Sequence, residues 1–230
     1  MMAKLPKKSG SKPTPEILKA IQHIDHITYI AKSVHASTFI KRWTYLGFHE
    51  AVRLRTERFP ATHIALTCGL HGEFPWATMT GLSTSEHSES PINQGIRRYG
   101  EGIQHVAYNI HPEADMAELQ EVLGKLGWIF MTPVLNYEDK GHAHLRQLFA
   151  APSAAYGNFI ELVQRLPGPD GHVYDGFDTM NIDDLYEQYD DFSRWLDKHP
   201  RAGMRQKKAE LELSAHHPCS TRNLSPQIHL

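Results

Sequence analysis

The sequence predicts an α+β protein built from two βαβββ modules, and three observations carry that prediction. His26-Ile27-Thr28-Tyr29 returns as His105-Val106-Ala107-Tyr108, and each copy leads through an apparent helix to Leu46-Gly47-Phe48 or Leu126-Gly127-Trp128. From histidine to leucine is 20 residues in one copy and 21 in the other, so a whole supersecondary unit repeats rather than a short motif. The residues around each histidine alternate and are rich in β-branched types, whereas those ahead of each Leu-Gly follow helical spacing. Short strand-like runs then follow, punctuated by Gly and Pro.

Taken in order, residues 1–15 carry Lys4, Lys7, Lys8 and Lys12 among Ser, Gly and Pro with nothing to bury, and are expected as a disordered basic arm. A single domain is expected over 16–198, with module one at 21–81. Within it, 21–31 reads as a strand through Ile24, Ile27, Thr28 and Ile30. Residues 33–46 read as a helix, with Val34, Phe39, Trp43 and Leu46 near helical spacing and Gly47 as its stop. Strands follow at 50–54, 63–67 and 76–80, between Pro60, Gly69, Gly72 and Pro75. The Ser-, Thr- and Glu-rich stretch 81–91 reads as the link between modules, the linker being placed at 82–101 with a short helix at 92–99.

Module two, 102–166, repeats the order with strand 103–110, helix 114–126 and strands 129–131, 145–149 and 158–164. In the last of these Phe159, Glu161 and Val163 share one face, which sets a carboxylate among apolar residues. Beyond Pro167-Gly168-Pro169-Asp170-Gly171, residues 182–198 read as an acidic helix with Leu185, Tyr189, Phe192 and Leu196 on its buried stripe. It is expected to dock on the module pair. Residues 199–230 read as a polar tail.

At 230 residues, 40% hydrophobic and 22% charged, the chain is long and apolar enough for a substantial core. A formal net charge of −2 gives no basic field for nucleic acid or an anionic membrane, so neither partner is expected. Cys68 and Cys219 are far apart and outside any Cys-x-x-Cys spacing, which excludes a disulfide scaffold and a thiolate zinc site and makes a cytoplasmic location the default. No apolar run is long enough to span a membrane, and the basic start lacks the apolar core of a signal peptide. The 16 histidines invite a chemical explanation.

Two histidines and a carboxylate on three separate strands can occupy one face of an octahedral ion and leave three positions open, as suits non-haem Fe(II) oxygenases. His26, His105 and Glu161 are those candidates. Their matched places in a repeat single them out from ordinary strand histidines. His23 is three residues from His26 and faces the other way; His142 and His144 suit a solvated loop. In module one the strand equivalent to that of Glu161 falls at 76–80, which holds no carboxylate, histidine or cysteine. Three protein ligands rather than four are therefore expected.

Gly102-Ile103-Gln104-His105-Val106-Ala107, Arg146-Gln147-Leu148-Phe149 and Asn158-Phe159-Ile160-Glu161-Leu162-Val163-Gln164-Arg165 together resemble the catalytic half of 4-hydroxyphenylpyruvate dioxygenases, in the vicinal oxygen chelate superfamily. The resemblance implies paired modules folding into an open mixed-sheet barrel of glyoxalase-like type around Fe(II), with His26, His105 and Glu161 as ligands. It implies that Gln104 and Gln147 are active-site glutamines that orient the substrate, and that Phe149 is an aromatic wall. Gly176-Phe177 and Asn181-Ile182 resemble the entry to the family's gating helix, so that Phe177, Ile182 and, in module one, His63 are the further substrate-binding candidates and 182–198 would be a lid. Two departures stand out. Family members usually carry two barrels, and Ile182 stands where the family has a second phenylalanine.

The function expected from this is Fe(II)-dependent oxidative decarboxylation of a 2-oxo acid with oxygenation of the same molecule, the partners being a small-molecule substrate and dioxygen. Extradiol cleavage of a catechol and non-catalytic binding of a small molecule are the alternatives left open, and so is a homodimer.

Overall fold

The computed structural model describes residues 19–68, 79–137, 144–153, 157–168, 171, 173 and 179–199. The arm 1–15, the tail beyond His199, His142, Phe177 and the side chain of Leu196 lie outside them.

Eight strands form one mixed sheet: β1 (Ile21–Ile30), β2 (His49–Thr56), β3 (Ala61–Thr67), β4 (Met79–Thr84), β5 (Gly102–Ile110), β6 (Leu135–Asn136), β7 (Leu145–Phe149) and β8 (Phe159–Arg165), in the order β2-β3-β4-β1-β5-β8-β7-β6. The order is itself a repeat. Each module pairs its first strand in parallel with its last, β1 with β4 and β5 with β8, and closes with antiparallel neighbours, while β1 and β5 join the modules antiparallel. The two histidine strands thus lie side by side at the centre of the sheet. Strands from β2 to β8 line a common cavity, so the sheet curls around it as the open barrel implied by the resemblance.

Two helices cover the face turned away from the cavity, and the last helix closes the cavity side. In module one, α1 (Ala36–Thr44), preceded by a single 3₁₀ turn at Ser33–His35, lays Phe39, Ile40 and Trp43 over Phe48, Ile64, Leu66 and Leu82. In module two, α3 (Met116–Lys125) buries Met116, Leu119 and Leu123 on Ile110, Leu148 and Leu162, and Asp115 caps it by accepting from the amides of Ala117 and Glu118. Between the modules, α2 (Pro91–Tyr99) starts with a Ser90 cap and Pro91 in its first turn. The last helix, α4 (Thr179–Lys198), packs Leu185 and Tyr189 on Phe149 and Phe159, and Tyr186 on Ile30, Ile92 and Ile96. No helix among the described residues is long and apolar enough to cross a membrane.

Three sequence expectations shift. Residues 81–84 belong to β4 rather than to the linker: Gly81-Leu82-Ser83-Thr84 is polar in composition but buried, because β1 and β3 flank it on both edges and satisfy its backbone. Residues 129–131 form no strand. Phe130 makes a single bridge to Ala150, and the strand that pairs with β7 starts after Pro133, whose ring nitrogen has no hydrogen to donate to a ladder. Finally, α4 begins at Thr179, three residues before the expected start.

Candidate metal centre and cavity

The alternation of β1 breaks at Asp25-His26, two consecutive buried residues, and that of β5 breaks at Gln104-His105 in the same way. The pairing register explains both. Ile24 faces Tyr108 and His26 faces Ala107, leaving Asp25 as an extra residue; Thr28 faces His105 and Tyr29 faces Ile103, leaving Gln104 extra on the other strand. Each is a β-bulge, which turns two neighbouring side chains into the interior where a regular strand would turn one. The bulges sit at equivalent positions of the two modules, directly ahead of the two histidines.

His26, His105 and Glu161 are 2%, 3% and 1% exposed. The Nε2 atoms of the histidines stand 3.2 Å apart, and Glu161 Oε2 lies 3.5 Å from His26 Nε2 and 3.4 Å from His105 Nε2. These three separations are those of ligands sharing one ion. With bonds of about 2.1 Å, neighbouring ligands lie about 3.0 Å apart on an octahedron and about 3.4 Å apart on a tetrahedron. Among the described residues this is the one group of three or more His, Cys, Asp or Glu with metal-binding proximity.

Charge in the cluster is set by burial and neighbours. Burial would lower the His26 imidazole, but the Glu161 carboxylate and the hydrogen bond to Asp25 outweigh it and raise it to about 9. Burial, opposed by Glu161 and reinforced by the charge on His26, pushes His105 down to about 3. Burial works to raise Glu161 too, yet the charge on His26 and its hydrogen bond hold this carboxyl below its usual value. Without metal, one proton shared near the two Nε2 atoms offsets the buried carboxylate. A divalent cation binding there would displace that proton.

Sequence reasoning did not identify the support of His26. Asp25 Oδ1 lies 2.8 Å from His26 Nδ1, and Arg165 clamps that carboxylate with Nε to Oδ2 at 2.7 Å and a terminal nitrogen to Oδ1 at 2.8 Å. Asn109 adds a longer bond of 3.4 Å. Burial would raise the Asp25 carboxyl, but the Arg165 hydrogen bonds and charge, helped by His26, hold it well below the usual range. The carboxylate fixes the proton on Nδ1 and leaves Nε2 facing His105 and Glu161, the arrangement that would orient a metal-ligating histidine. The signal was present in the sequence as a polar residue ahead of each repeated histidine.

Module one has no carboxylate partner. β8 sets Glu161 opposite Ala107 of β5, and the equivalent register of β4 sets Gly81 opposite Thr28 of β1. The equivalent of Glu161 is therefore Gly81, one residue past the expected stretch. A Cβ there would lie 2.7 Å from Thr28 Oγ1, so the hydroxyl occupies the room a side chain would need.

The triad opens on a cavity of about 520 Å³, its mouth included. Gln147 lines it and donates from Nε2 to Glu161 Oε1 at 2.7 Å, while its Oε1 is buried without a partner. His63, Ile182, Leu185 and Tyr186 also line it. Two expected residues lie behind the lining. Gln104 accepts from the Tyr186 hydroxyl at 3.2 Å, and Phe149 is fully buried against Phe159, Leu185 and Tyr189. His23, half-buried, pairs with Asn109 as His26 pairs with Ala107, so the bulge at Asp25 brings it to the same sheet face as His26 rather than the opposite face expected; His144 is half-buried beside β7.

No protein-family model and no curated protein matches the sequence. Among solved structures, the chain is similar to a methylmalonyl-CoA epimerase of Streptomyces coelicolor in complex with 2-nitronate-propionyl-CoA, at 21% identity, 63% of this chain, 98% of that one and a TM-score of 0.47. It is similar to the methylmalonyl-CoA epimerase of Mycobacterium tuberculosis at 21% identity, 66% and 91% coverage and a TM-score of 0.47. A hypothetical protein of Bacillus halodurans C-125 matches at 19% identity, 63% and 95% coverage and a TM-score of 0.47.

Proposed function

We propose that the protein is a non-haem Fe(II)-dependent dioxygenase, an enzyme of 4-hydroxyphenylpyruvate dioxygenase-like type whose substrate is itself a 2-oxo acid. The observation that carries this reading is the buried set of His26 Nε2, His105 Nε2 and Glu161 Oε2, all within 3.5 Å of one another and open to one cavity. With Gly81 in the fourth place, three protein atoms would hold the ion and leave positions for substrate and dioxygen. When bound, Fe(II) supplies chelation of the oxo acid and activation of dioxygen.

The chain's own residues supply the rest. Asp25 and Arg165 hold the His26 ring in its ligating tautomer. Gln147, in the cavity lining, restrains the Glu161 carboxylate by donating from Nε2 to its Oε1. The α4 helix, through Ile182, Leu185 and Tyr186, forms the wall that keeps water from the reacting groups.

The test is anaerobic reconstitution with Fe(II), followed by dioxygen uptake and carbon dioxide release with a panel of aromatic and aliphatic 2-oxo acids. Matched uptake and release with one panel member is the expected result. Iron binding with neither signal would sink it. One observation favours a second reading, extradiol cleavage: the unpartnered Gln147 Oε1 accepts a hydrogen bond, which a catechol hydroxyl can donate and the chelating oxygens of a 2-oxo acid cannot. Catechols in the same panel, with uptake of dioxygen and no carbon dioxide, would select it.

A further inference from the structure

The repeat pairs residues across the cavity. On β7 and β8, Gln147 faces Val163 two residues from Glu161; on β3 and β4, His63 faces Ser83 two residues from Gly81. His63 is thus the counterpart of Gln147, and it lines the same cavity from the other side. Where module two presents a carboxylate and an amide with a spare acceptor, module one presents a glycine and an imidazole.

That imidazole is closed to a ligand's charge. Thr56 Oγ1 donates to the Phe59 carbonyl at 2.8 Å, so its lone pair is left to accept from His63 Nε2 at 3.2 Å. His63 Nδ1 then accepts from Ser83 Oγ at 2.9 Å. Both nitrogens are engaged by hydroxyl groups, and in the neutral ring the proton sits on Nε2. Burial also disfavours the charged ring, pushing it down to about 4. One flank is covered by Tyr186, with ring centroids 5.3 Å apart, and burial keeps that phenol neutral.

The surroundings are largely apolar and uncharged. Val52 and Leu54 of β2, Ala65 of β3 and Ile182 and Leu185 of α4 complete this half of the cavity, with Asn181 at the start of α4 the one amide among them. Among the described lining residues there is no lysine or arginine, and Glu161 is the one carboxylate. A carboxylate placed here would lose its hydration with no cation among the described lining residues to replace it.

We propose that position 63 sets the specificity of the module-one half of the cavity: a buried, uncharged side chain there, tied to Thr56 and Ser83, receives an uncharged substrate side chain and excludes a second carboxylate. This rests on the 2-oxo acid reading above. The substrate carries its single negative charge at the triad, where the metal takes it, and packs an aliphatic or aryl group against His63, Leu54 and Ile182.

The test uses the full chain loaded with Co(II), whose visible absorption reports chelation without turnover. It compares 4-methyl-2-oxopentanoate with 2-oxoglutarate, which has the same main-chain length and adds a terminal carboxylate. The wild type is expected to bind the uncharged side chain at least about 20-fold tighter. His63→Gln, neutral, should keep that preference, and His63→Arg should reduce it to less than about 5-fold. Should His63→Arg fail to fold by circular dichroism, Leu54→Arg replaces it, since Leu54 pairs with His63 across β2 and β3 and is only half-buried. Equal binding of the two acids by the wild type, or an unchanged ratio in the folded arginine variant, overturns the proposal. If Co(II) binds and neither acid perturbs its spectrum, the 2-oxo acid reading falls first and takes this inference with it.

Discussion

Asp25 and Gln104 hold the same position in the two modules, each a bulged residue immediately ahead of a buried histidine, yet they serve different neighbours. Asp25 turns to His26 Nδ1 and is clamped by Arg165. Gln104 turns away from His105 to accept from Tyr186 on α4, and His105 Nδ1 is left buried with no hydrogen-bond partner, its ring stacked on Phe159 instead. The local device is the same because a bulge depends on strand pairing. What the extra side chain does depends on which element packs over it: the end of β8 on one side, a helix on the other. In the repeat, module one supports its histidine with charge, and module two ties its histidine strand to the covering helix.

The largest expected effect tests the other asymmetry, Glu161 against Gly81. Glu161→Gln keeps the shape and the Gln147 contact but removes the charged ligand atom, and Fe(II) affinity measured by chelator competition should fall more than about 100-fold, beyond what losing an outer-shell partner gives. Unchanged iron stoichiometry would remove the triad from the account.

Next comes the clamp. Arg165→Met leaves Asp25 as a buried carboxylate without its cation, and urea denaturation should show a loss of about 3–5 kcal/mol. The double variant Asp25→Leu with Arg165→Met, which leaves neither member of this pair buried alone, should recover most of that loss. Equal losses in the single and double variants would show that Arg165 contributes by packing rather than by pairing.

His63 and Gln147 are compared through pH. The folded-state value for His63, about 4, lies below the ordinary 6.5, so between those values the unfolded chain binds a proton that the folded chain does not. Its contribution is complete above pH 6.5 and is lost as pH falls toward 4, by about 3 kcal/mol at most. His63→Gln gives module one the residue type of module two and should remove about half of the slope across that window, the rest belonging to His105, which is also lowered, to about 3. A slope left undiminished by the substitution would remove His63 from the pH dependence.

Most of the fold was legible in the sequence, because a repeat of matched strands and helices shows itself in hydrophobic spacing. The triad was legible for the same reason, His26 and His105 being matched residues on matched strands. What could not be read depends on pairing register. Alternation counted along β1 puts Asp25 on the face opposite His26, and only the offset against β5 shows that both point inward. Gly81-Leu82-Ser83-Thr84 read as linker because its burial comes from strands β1 and β3, distant in sequence. Phe149 was expected at the cavity surface, but Leu185 of α4 stands between, and the docking of a helix leaves no periodic trace in the strand beneath it.

The two smallest effects bear directly on the two bulges. Asp25→Asn keeps a side chain that can accept from His26 Nδ1 but lacks the charge, and should weaken Fe(II) binding by about 10- to 100-fold. Gln104→Leu should leave Fe(II) affinity within about threefold, because Gln104 makes no hydrogen bond to His105. Its cost should fall on α4, where the Tyr186 hydroxyl loses one of its two side-chain partners, Ser83 being the other, for about 1 kcal/mol of stability. Amide hydrogen exchange would locate that loss, with protection falling over Leu185 to Tyr189 and unchanged in β1. If Gln104→Leu instead weakens metal binding as much as Asp25→Asn, then Gln104 reaches the metal centre through the His105 backbone, and the two bulges do the same job by different contacts.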